Sequence, residues 1–136
     1  WRAGMIPVDR AGGGAALRRM AAAAGQAAAQ GRDVLIYPQG TRVAPGRRAP
    51  YHPGIAALYA QLGLPVVPVA LDSGLFWGRR AFTKRAGTIT VEFLPPIPPG
   101  LSRRAFMAEL ERWLGAASDR LAGQSMVGPH WNQGDP

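Results

Sequence analysis

Short apolar runs alternate with segments of helical periodicity along this chain, and that alternation limits the folds open to it. Residues 4–8, 34–37 and 65–71 are apolar runs of strand length, bounded by glycine, proline or charged residues. Residues 88–94 alternate apolar and polar side chains, which predicts a strand with one exposed face. Strands that alternate with helices predict an α/β fold with a mixed, largely parallel sheet flanked by helices.

The helices are predicted from apolar spacing and from residues typical of helix ends. Residues 15–30 have a buried stripe at helical spacing and are followed by Gly31. Residues 53–62 follow the same rules, with a proline in the first turn and Gly63 after the end. The last helix is predicted to begin after Ser102, because serine is a preferred N-cap residue. Its predicted core face consists of Phe106, Leu110, Trp113, Leu114, Ala117 and Leu121.

The domain organisation follows from these elements. Residues 1–121 are interpreted as a single, incomplete domain, because the chain opens at Trp1 directly into a strand-like run. Residues 122–136 are rich in glycine, proline and asparagine and are predicted to form a flexible tail. The chain contains no internal repeat and no apolar run that approaches the roughly 20 residues of a membrane span.

The charge balance favours anionic partners. The chain has 16 basic and 8 acidic residues, a formal charge of +8, and every basic residue except Lys84 is an arginine. Guanidinium groups match phosphate geometry, so phosphorylated small molecules, acidic lipid and nucleic acid all fit this charge. The absence of cysteine excludes disulfides and thiolate metal sites.

Polar and arginine side chains follow the first two predicted strands. Arg10 closes the segment Ile6-Pro7-Val8-Asp9-Arg10, and Arg42 closes Tyr37-Pro38-Gln39-Gly40-Thr41-Arg42. Open α/β sheets bind ligands at the carboxyl edge of their strands, so these two arginines are expected to form a phosphate pocket there. The alternative is that each arginine is a solvated loop residue.

These segments, with Tyr51-x-Pro53-Gly54-Ile55 and Val66-Val67-Pro68-Val69-Ala70-Leu71 after them, resemble the glycerolipid acyltransferase family. That family includes bacterial 1-acylglycerol-3-phosphate acyltransferases. The resemblance covers most of residues 4–72, and its most specific part is the Pro-x-Gly-Thr-Arg block.

The resemblance assigns roles to individual residues. Arg10 matches an arginine that contacts the glycerol phosphate acceptor, and Gly40, Thr41 and Arg42 match a second acceptor-binding block. Pro68 matches a proline linked to acyl-chain binding or catalysis, although a structural role for a proline at a strand edge or bulge is equally open.

Gln39 departs from the family pattern, which usually has glutamate at this position. A carboxylate could pair with Arg42, whereas an amide supplies no charge. We therefore expect an acceptor site that is weakened or differently tuned, but not lost.

The function implied by the resemblance is transfer of a fatty acyl group from acyl-CoA or acyl carrier protein to 1-acylglycerol-3-phosphate, giving phosphatidic acid. It implies no metal and no cofactor, a lysophospholipid acceptor, and a location at the cytoplasmic face of the bacterial inner membrane. The enzyme would be peripheral there or anchored through its N-terminus. The alternatives are a lipid-binding relative without activity or a basic nucleic-acid-binding module, although no nucleic-acid reader motif is present.

The family's catalytic block, Asn-His-x-x-x-x-Asp, is expected upstream of Trp1, so no catalytic residue is assigned within these 136 residues, which alone should be inactive. In that block the histidine is the general base. His52 has no aspartate at the required spacing. His130 has Asp135, but it follows the other blocks and Pro129 replaces the asparagine.

One further segment allows two interpretations. Trp77 and Phe82 stand among arginines and Lys84 between two predicted strands. They could dock on anionic lipid, or the rings could cap the core while the cations are solvated. Gly12-Gly13-Gly14 is interpreted as a tight turn rather than a phosphate loop, since it lacks the lysine and hydroxyl residue of a P-loop.

Overall fold

The computed structural model of the chain describes residues 5–6, 13–78 and 82–127. Its elements are α1 (Gly13–Ala29), α2 (Gly54–Leu62), β1 (Val69–Leu71), α3 (Ser73–Phe76), β2 (Val91–Phe93) and α4 (Arg103–Val127). The described part of the chain contains no helix long and apolar enough to cross a membrane.

The first two helices confirm the predictions for residues 15–30 and 53–62. α1 ends where Gly31 adopts φ 70°, and the Arg32 N–H then donates to the carbonyl of Ala27 at 3.1 Å. α2 ends in the same way, at Gly63 with φ 60°. The α1 residues in contact with the interior are small, so α1 and α2 lie close together. The buried α1 positions are Ala16, Ala21, Ala24 and Ala27.

The sheet of the described residues is a two-stranded antiparallel ladder. β1 pairs with β2 in the register Val69↔Phe93, Ala70↔Glu92 and Leu71↔Val91. A single bridge, Val66↔Ile97, extends the pairing toward the start of the predicted 65–71 strand. The mixed, largely parallel sheet predicted for the whole domain is not tested by this ladder and stays a prediction.

The prediction of a buried strand at residues 34–37 is wrong for this structure. These residues have no strand assignment, and Leu35 and Tyr37 are 75% and 70% exposed. The physical reason is that no strand among the described residues hydrogen-bonds to this segment, and an unpaired apolar run has no ladder to hold it in a sheet.

β2 has one exposed face, as predicted, but the apolar side chains lie on it. Val91 and Phe93 are 52% and 74% exposed, whereas Glu92 between them is half-buried. The carboxylate of Glu92 accepts two hydrogen bonds from Arg120 of α4, at 2.6 and 2.8 Å. α4 therefore covers the face of the ladder that carries Ala70 and Glu92.

α4 supplies most of the main core and confirms the predicted apolar face. Phe106 is completely buried, and its ring stacks on Tyr59 of α2 with centroids 3.9 Å apart. The Tyr59 hydroxyl donates to the carbonyl of Pro98 and accepts from the Leu101 N–H, which fixes the entry into α4. The other buried positions of the face are Leu110, Leu114, Ala117 and Leu121, while Trp113 is partly buried.

Both ends of α4 bear on the sequence predictions. Ser102 is the N-cap, because its Oγ accepts from the Ala105 N–H at 3.2 Å. The helix continues to Val127, so the part of the predicted tail at residues 122–127 is helical. The rest of that tail, including His130, lies outside the described residues. The division between residues 121 and 122 stays a prediction.

Candidate functional site

An open cleft of about 1500 Å³ lies between the long loop after residue 37 and the middle of α4. The loop, residues 39–51, forms one wall, and residues 71–75 with Trp77 and Gly78 form a second. α4 contributes a helical face made of Glu111, Leu114, Gly115, Ser118, Asp119 and Ala122. Because these positions recur at helical spacing, they present a single stripe to the cleft.

The Pro-Gln-Gly-Thr-Arg block enters the cleft through a tight turn. The Gly40 N–H donates to the carbonyl of Tyr37 at 3.0 Å, and the His52 N–H donates to the carbonyl of Pro38 at 3.0 Å. The second bond joins the two ends of the loop, so residues 39–51 form a closed excursion rather than an open connection.

Gly40 is required at its position for two reasons. Its φ is +63°, a left-handed conformation that side chains disfavour. A Cβ built there would also lie 2.8 Å from Nε2 of His52. The imidazole of His52 therefore packs directly against the backbone of the block.

Arg42 lies at the rim of the cleft beside an aromatic ring. Its guanidinium carbon is 5.8 Å from the ring centroid of Trp77, within the range of a cation–π contact. Arg42 and its neighbour Thr41 are both exposed and line the cleft. A guanidinium and a hydroxyl side by side can donate several hydrogen bonds to one phosphate.

Gln39 is anchored through its amide. Its Nε2 donates to the carbonyl of Ala49 at 3.5 Å, a long contact across the excursion. A glutamate at this position could not donate that bond, because a carboxylate is only an acceptor. The amide thus suits the local backbone, and the retuning of the acceptor site expected from Gln39 stays a prediction.

The excursion is also tied to α4 by charge. Arg48 Nη2 forms an ion pair with Asp119 Oδ2, and both side chains are exposed. Next to this pair, burial raises the pKa of the Tyr51 phenol, and the nearby carboxylate of Glu111 raises it further, while Arg48 opposes the shift. The Tyr51 hydroxyl is consequently a neutral hydrogen-bonding group on this wall at physiological pH.

The second wall is held by Asp72. This residue is only 5% exposed, and its Oδ1 accepts from the Thr90 N–H at 2.8 Å. The Asp72 N–H in turn contacts the Thr90 carbonyl at 3.4 Å. The two ends of the connection between β1 and β2 are therefore held together at Asp72 and Thr90.

The structure brings some of the predicted site residues together and leaves others apart. Gln39, Gly40, Thr41 and Arg42 all line the cleft. Pro68 does not: it is buried, and its carbonyl accepts the Leu94 N–H at 2.9 Å just beyond the end of the ladder. Its role in acyl-chain binding or catalysis stays a prediction.

Arg10 and the predicted strand end that carries it lie outside the described residues, so the pairing of Arg10 with Arg42 also stays a prediction.

Sequence reasoning missed several cleft residues. Arg48, Tyr51, Glu111 and Asp119 were not predicted to share a site, although the spacing of the last two places them on one face of α4. Trp77 was singled out, but not as a neighbour of Arg42. Among the described residues, no group of three histidine, cysteine or acidic side chains could hold a metal ion.

Comparison with known proteins decides the family. The model of the acyltransferase family matches residues 1–72, which include the whole Gly40–Arg42 turn. The chain belongs to the acyltransferase family. A 1-acyl-sn-glycerol-3-phosphate acyltransferase of Pseudomonas aeruginosa is 36% identical over 90 residues, which is 66% of this chain and 35% of that protein.

Eukaryotic relatives carry the same name. A Limnanthes alba 1-acyl-sn-glycerol-3-phosphate acyltransferase is 36% identical over 68% of this chain and 33% of its own length. The human 1-acyl-sn-glycerol-3-phosphate acyltransferase alpha is 32% identical over 72% of this chain and 35% of its own. The chain thus spans about a third of the length of the curated relatives it matches. No solved structure matches it.

Proposed function

We propose that this chain holds the acceptor phosphate in an acyltransferase that converts 1-acylglycerol-3-phosphate to phosphatidic acid. The acyl donor is acyl-CoA or acyl carrier protein. Membership of the acyltransferase family and the names of the relatives support this reaction. The observation that carries it is the exposed Gly40-Thr41-Arg42 turn at the rim of a cleft large enough for a glycerol phosphate headgroup.

The described residues are assigned the phosphate-binding part of the chemistry, and the general base that the reaction also needs is not assigned among them. In the reaction, the free hydroxyl of the acceptor attacks the thioester carbonyl. A C–O bond forms, the C–S bond breaks, and the hydroxyl proton passes through the base to the leaving thiol. Arg42 and Thr41 hold the phosphate so that the hydroxyl is positioned for attack. The thioester is already activated, so no metal or cofactor is expected.

The reaction is expected at the cytoplasmic face of the bacterial inner membrane, since the acceptor and the product are both lipids. The acceptor is then delivered from the bilayer and the thioester from the aqueous side. The headgroup phosphate is the part of the acceptor that this cleft recognises.

The binding half of the proposal is tested by calorimetric titration of the chain with a short-chain lysophosphatidic acid kept below its micelle concentration. A hydrogen bond to a charged group contributes about 1.5–3 kcal/mol, so Arg42→Ala should weaken binding by roughly 10–100-fold. The matched control is Arg103→Ala, an exposed arginine at the start of α4 that does not line the cleft. Monoacylglycerol, which has no phosphate, should not respond to Arg42→Ala. Equal affinities of wild type and Arg42→Ala for lysophosphatidic acid would reject the phosphate role.

The transfer half is tested by thiol release from acyl-CoA in a chimera that places the N-terminal segment of the Pseudomonas aeruginosa relative before this chain. The intact relative is the positive control. We expect thiol release that depends on added 1-acylglycerol-3-phosphate, and little release from the 136 residues alone. A folded chimera that binds the acceptor but releases no thiol would contradict the transfer half and leave the binding half standing.

A further inference from the structure

The segment between α3 and β2 carries aromatic and cationic side chains on its surface. We refer to Trp77, Phe82, Lys84 and Arg85 as the aromatic–cation segment; Arg79 and Arg80 lie outside the described residues. Phe82 is fully exposed, at 103%, and Trp77 is 49% exposed. The sequence allowed these rings to cap the core, but a ring with that exposure covers nothing, so the capping interpretation is wrong for Phe82.

Two cations, Lys84 of the segment and Arg42 of the cleft, lie beside the indole ring of Trp77. Lys84 Nζ lies 4.5 Å from the ring centroid of Trp77, and Arg42 approaches the same ring. Exposed cation–π contacts are weak, so they orient these side chains more than they stabilise the fold. The ring of Trp77 is therefore half-exposed and flanked by positive charge, and the exposed ring of Phe82 follows it along the same segment.

This composition fits the boundary of an anionic bilayer better than other partners. Aromatic rings are favoured at headgroup depth, where one side is apolar and the other is wet. Each nearby cation is attracted by the negative surface potential of acidic lipids. A chain with formal charge +8 is drawn to such a surface, and a protein partner would favour an apolar patch with fewer cations at its centre.

From these observations we infer that the aromatic–cation segment docks the chain on the headgroup region of an anionic bilayer. Phe82 enters the boundary, Lys84 and Arg85 contact lipid phosphates, and Trp77 lies at the headgroup level. Docking goes beyond the proposed function and does not require acyl transfer. Because Trp77 also lines the cleft, docking would turn the cleft rim toward the bilayer; that orientation rests on the proposed function.

The test is co-sedimentation of the 136-residue chain with vesicles of phosphatidylcholine alone or with phosphatidylglycerol added. We expect binding to the vesicles with phosphatidylglycerol and little to phosphatidylcholine. Phe82→Ala removes the inserted ring and should weaken binding about tenfold. Lys84→Glu should weaken it by a similar factor, about tenfold, through charge. Circular dichroism should show both variants folded, because neither residue is in the core.

The matched control is Arg103→Glu, which changes the net charge as Lys84→Glu does but at the opposite end of the ladder, where α4 begins. If the segment docks, Arg103→Glu should weaken binding by no more than about threefold. Equal effects of Arg103→Glu and Lys84→Glu would overturn the inference in favour of diffuse charge attraction. Unchanged vesicle binding of Phe82→Ala would also overturn the inference. Self-association of the chain without lipid that Phe82→Ala abolishes would overturn it as well, because a second copy would then occupy the segment. Acceptor binding measured with Arg42→Ala is independent of all these outcomes.

Discussion

The close contact between Gly40 and His52 makes a quantitative prediction about the stability of the Gly40–Arg42 turn. Replacing Gly40 with alanine forces a side chain into the left-handed region, which costs about 1–2 kcal/mol. Alanine also restricts the unfolded chain, which returns about 0.4–1 kcal/mol. The new Cβ would lie 2.8 Å from Nε2 of His52, so the imidazole must leave its rotamer at a further cost of about 0.5–1.5 kcal/mol. We expect Gly40→Ala to lower the free energy of unfolding by about 2 kcal/mol.

Gly46 provides the matched control within the same excursion. Its φ is +74°, but no atom lies within 4 Å of the position of a Cβ, so Gly46→Ala has only the backbone penalty, about 1 kcal/mol. Urea denaturation of Gly40→Ala, Gly46→Ala, His52→Ala and the Gly40→Ala/His52→Ala double variant completes the experiment. In the His52→Ala background the cost of Gly40→Ala should fall to that of Gly46→Ala, a coupling of about 1 kcal/mol. Equal costs at the two glycines with no coupling to His52 would refute the contact.

Three further predictions concern the walls of the cleft and the start of α4. Ser102→Ala should lower the free energy of unfolding in urea by about 1 kcal/mol, and Ser102→Gly by only a few tenths. A double-mutant cycle of Arg48→Ala and Asp119→Ala should give a coupling of about 0.2–1 kcal/mol that decreases in high salt, because the pair is exposed. The raised pKa of Tyr51 keeps its phenol protonated in the folded state, so the stability it contributes is present below pH 10.0 and is lost as pH rises through the folded pKa. Glu111→Gln should lower that pKa, measured by ultraviolet titration of tyrosinate.

The helices could be predicted from the sequence because their determinants are local. Gly31 and Gly63 stop α1 and α2 by adopting positive φ, and Ser102 caps α4. The spacing of Phe106 and its partners identified the core face of α4, since 3.6-residue periodicity depends on the helix alone. These features need no knowledge of distant parts of the chain.

The strands were harder to predict from the sequence than the helices, because an apolar run is buried in a sheet only when a partner strand lies beside it. Leu35 and Tyr37 are exposed in an unpaired segment, and the apolar side chains of β2 lie on its open face. The alternation of β2 was read correctly, but which face packs depends on α4, and in particular on the pairing of Arg120 with Glu92. No pattern within β2 contains that information.

The candidate site divides in the same way. The Gln39–Arg42 block could be found because its contacts are local and its sequence resembles a known motif. The opposite wall was not predictable, since Glu111 and Asp119 reach the cleft only through the packing of α4 against residues far away in sequence. The proximity of Trp77 to Arg42 likewise depends on the path of the chain after β1.

The two hydrogen bonds between Asp72 and Thr90 have a consequence for how the sequence of this protein could change in evolution. Hydrogen bonds at the base of the long connection between β1 and β2 hold the two strand ends in register, whatever lies between them. Residues 73–89 can therefore be lengthened, shortened or replaced without shifting the pairing of β1 with β2. Relatives with different sequences at residues 73–89 could thus keep the same pairing of β1 with β2.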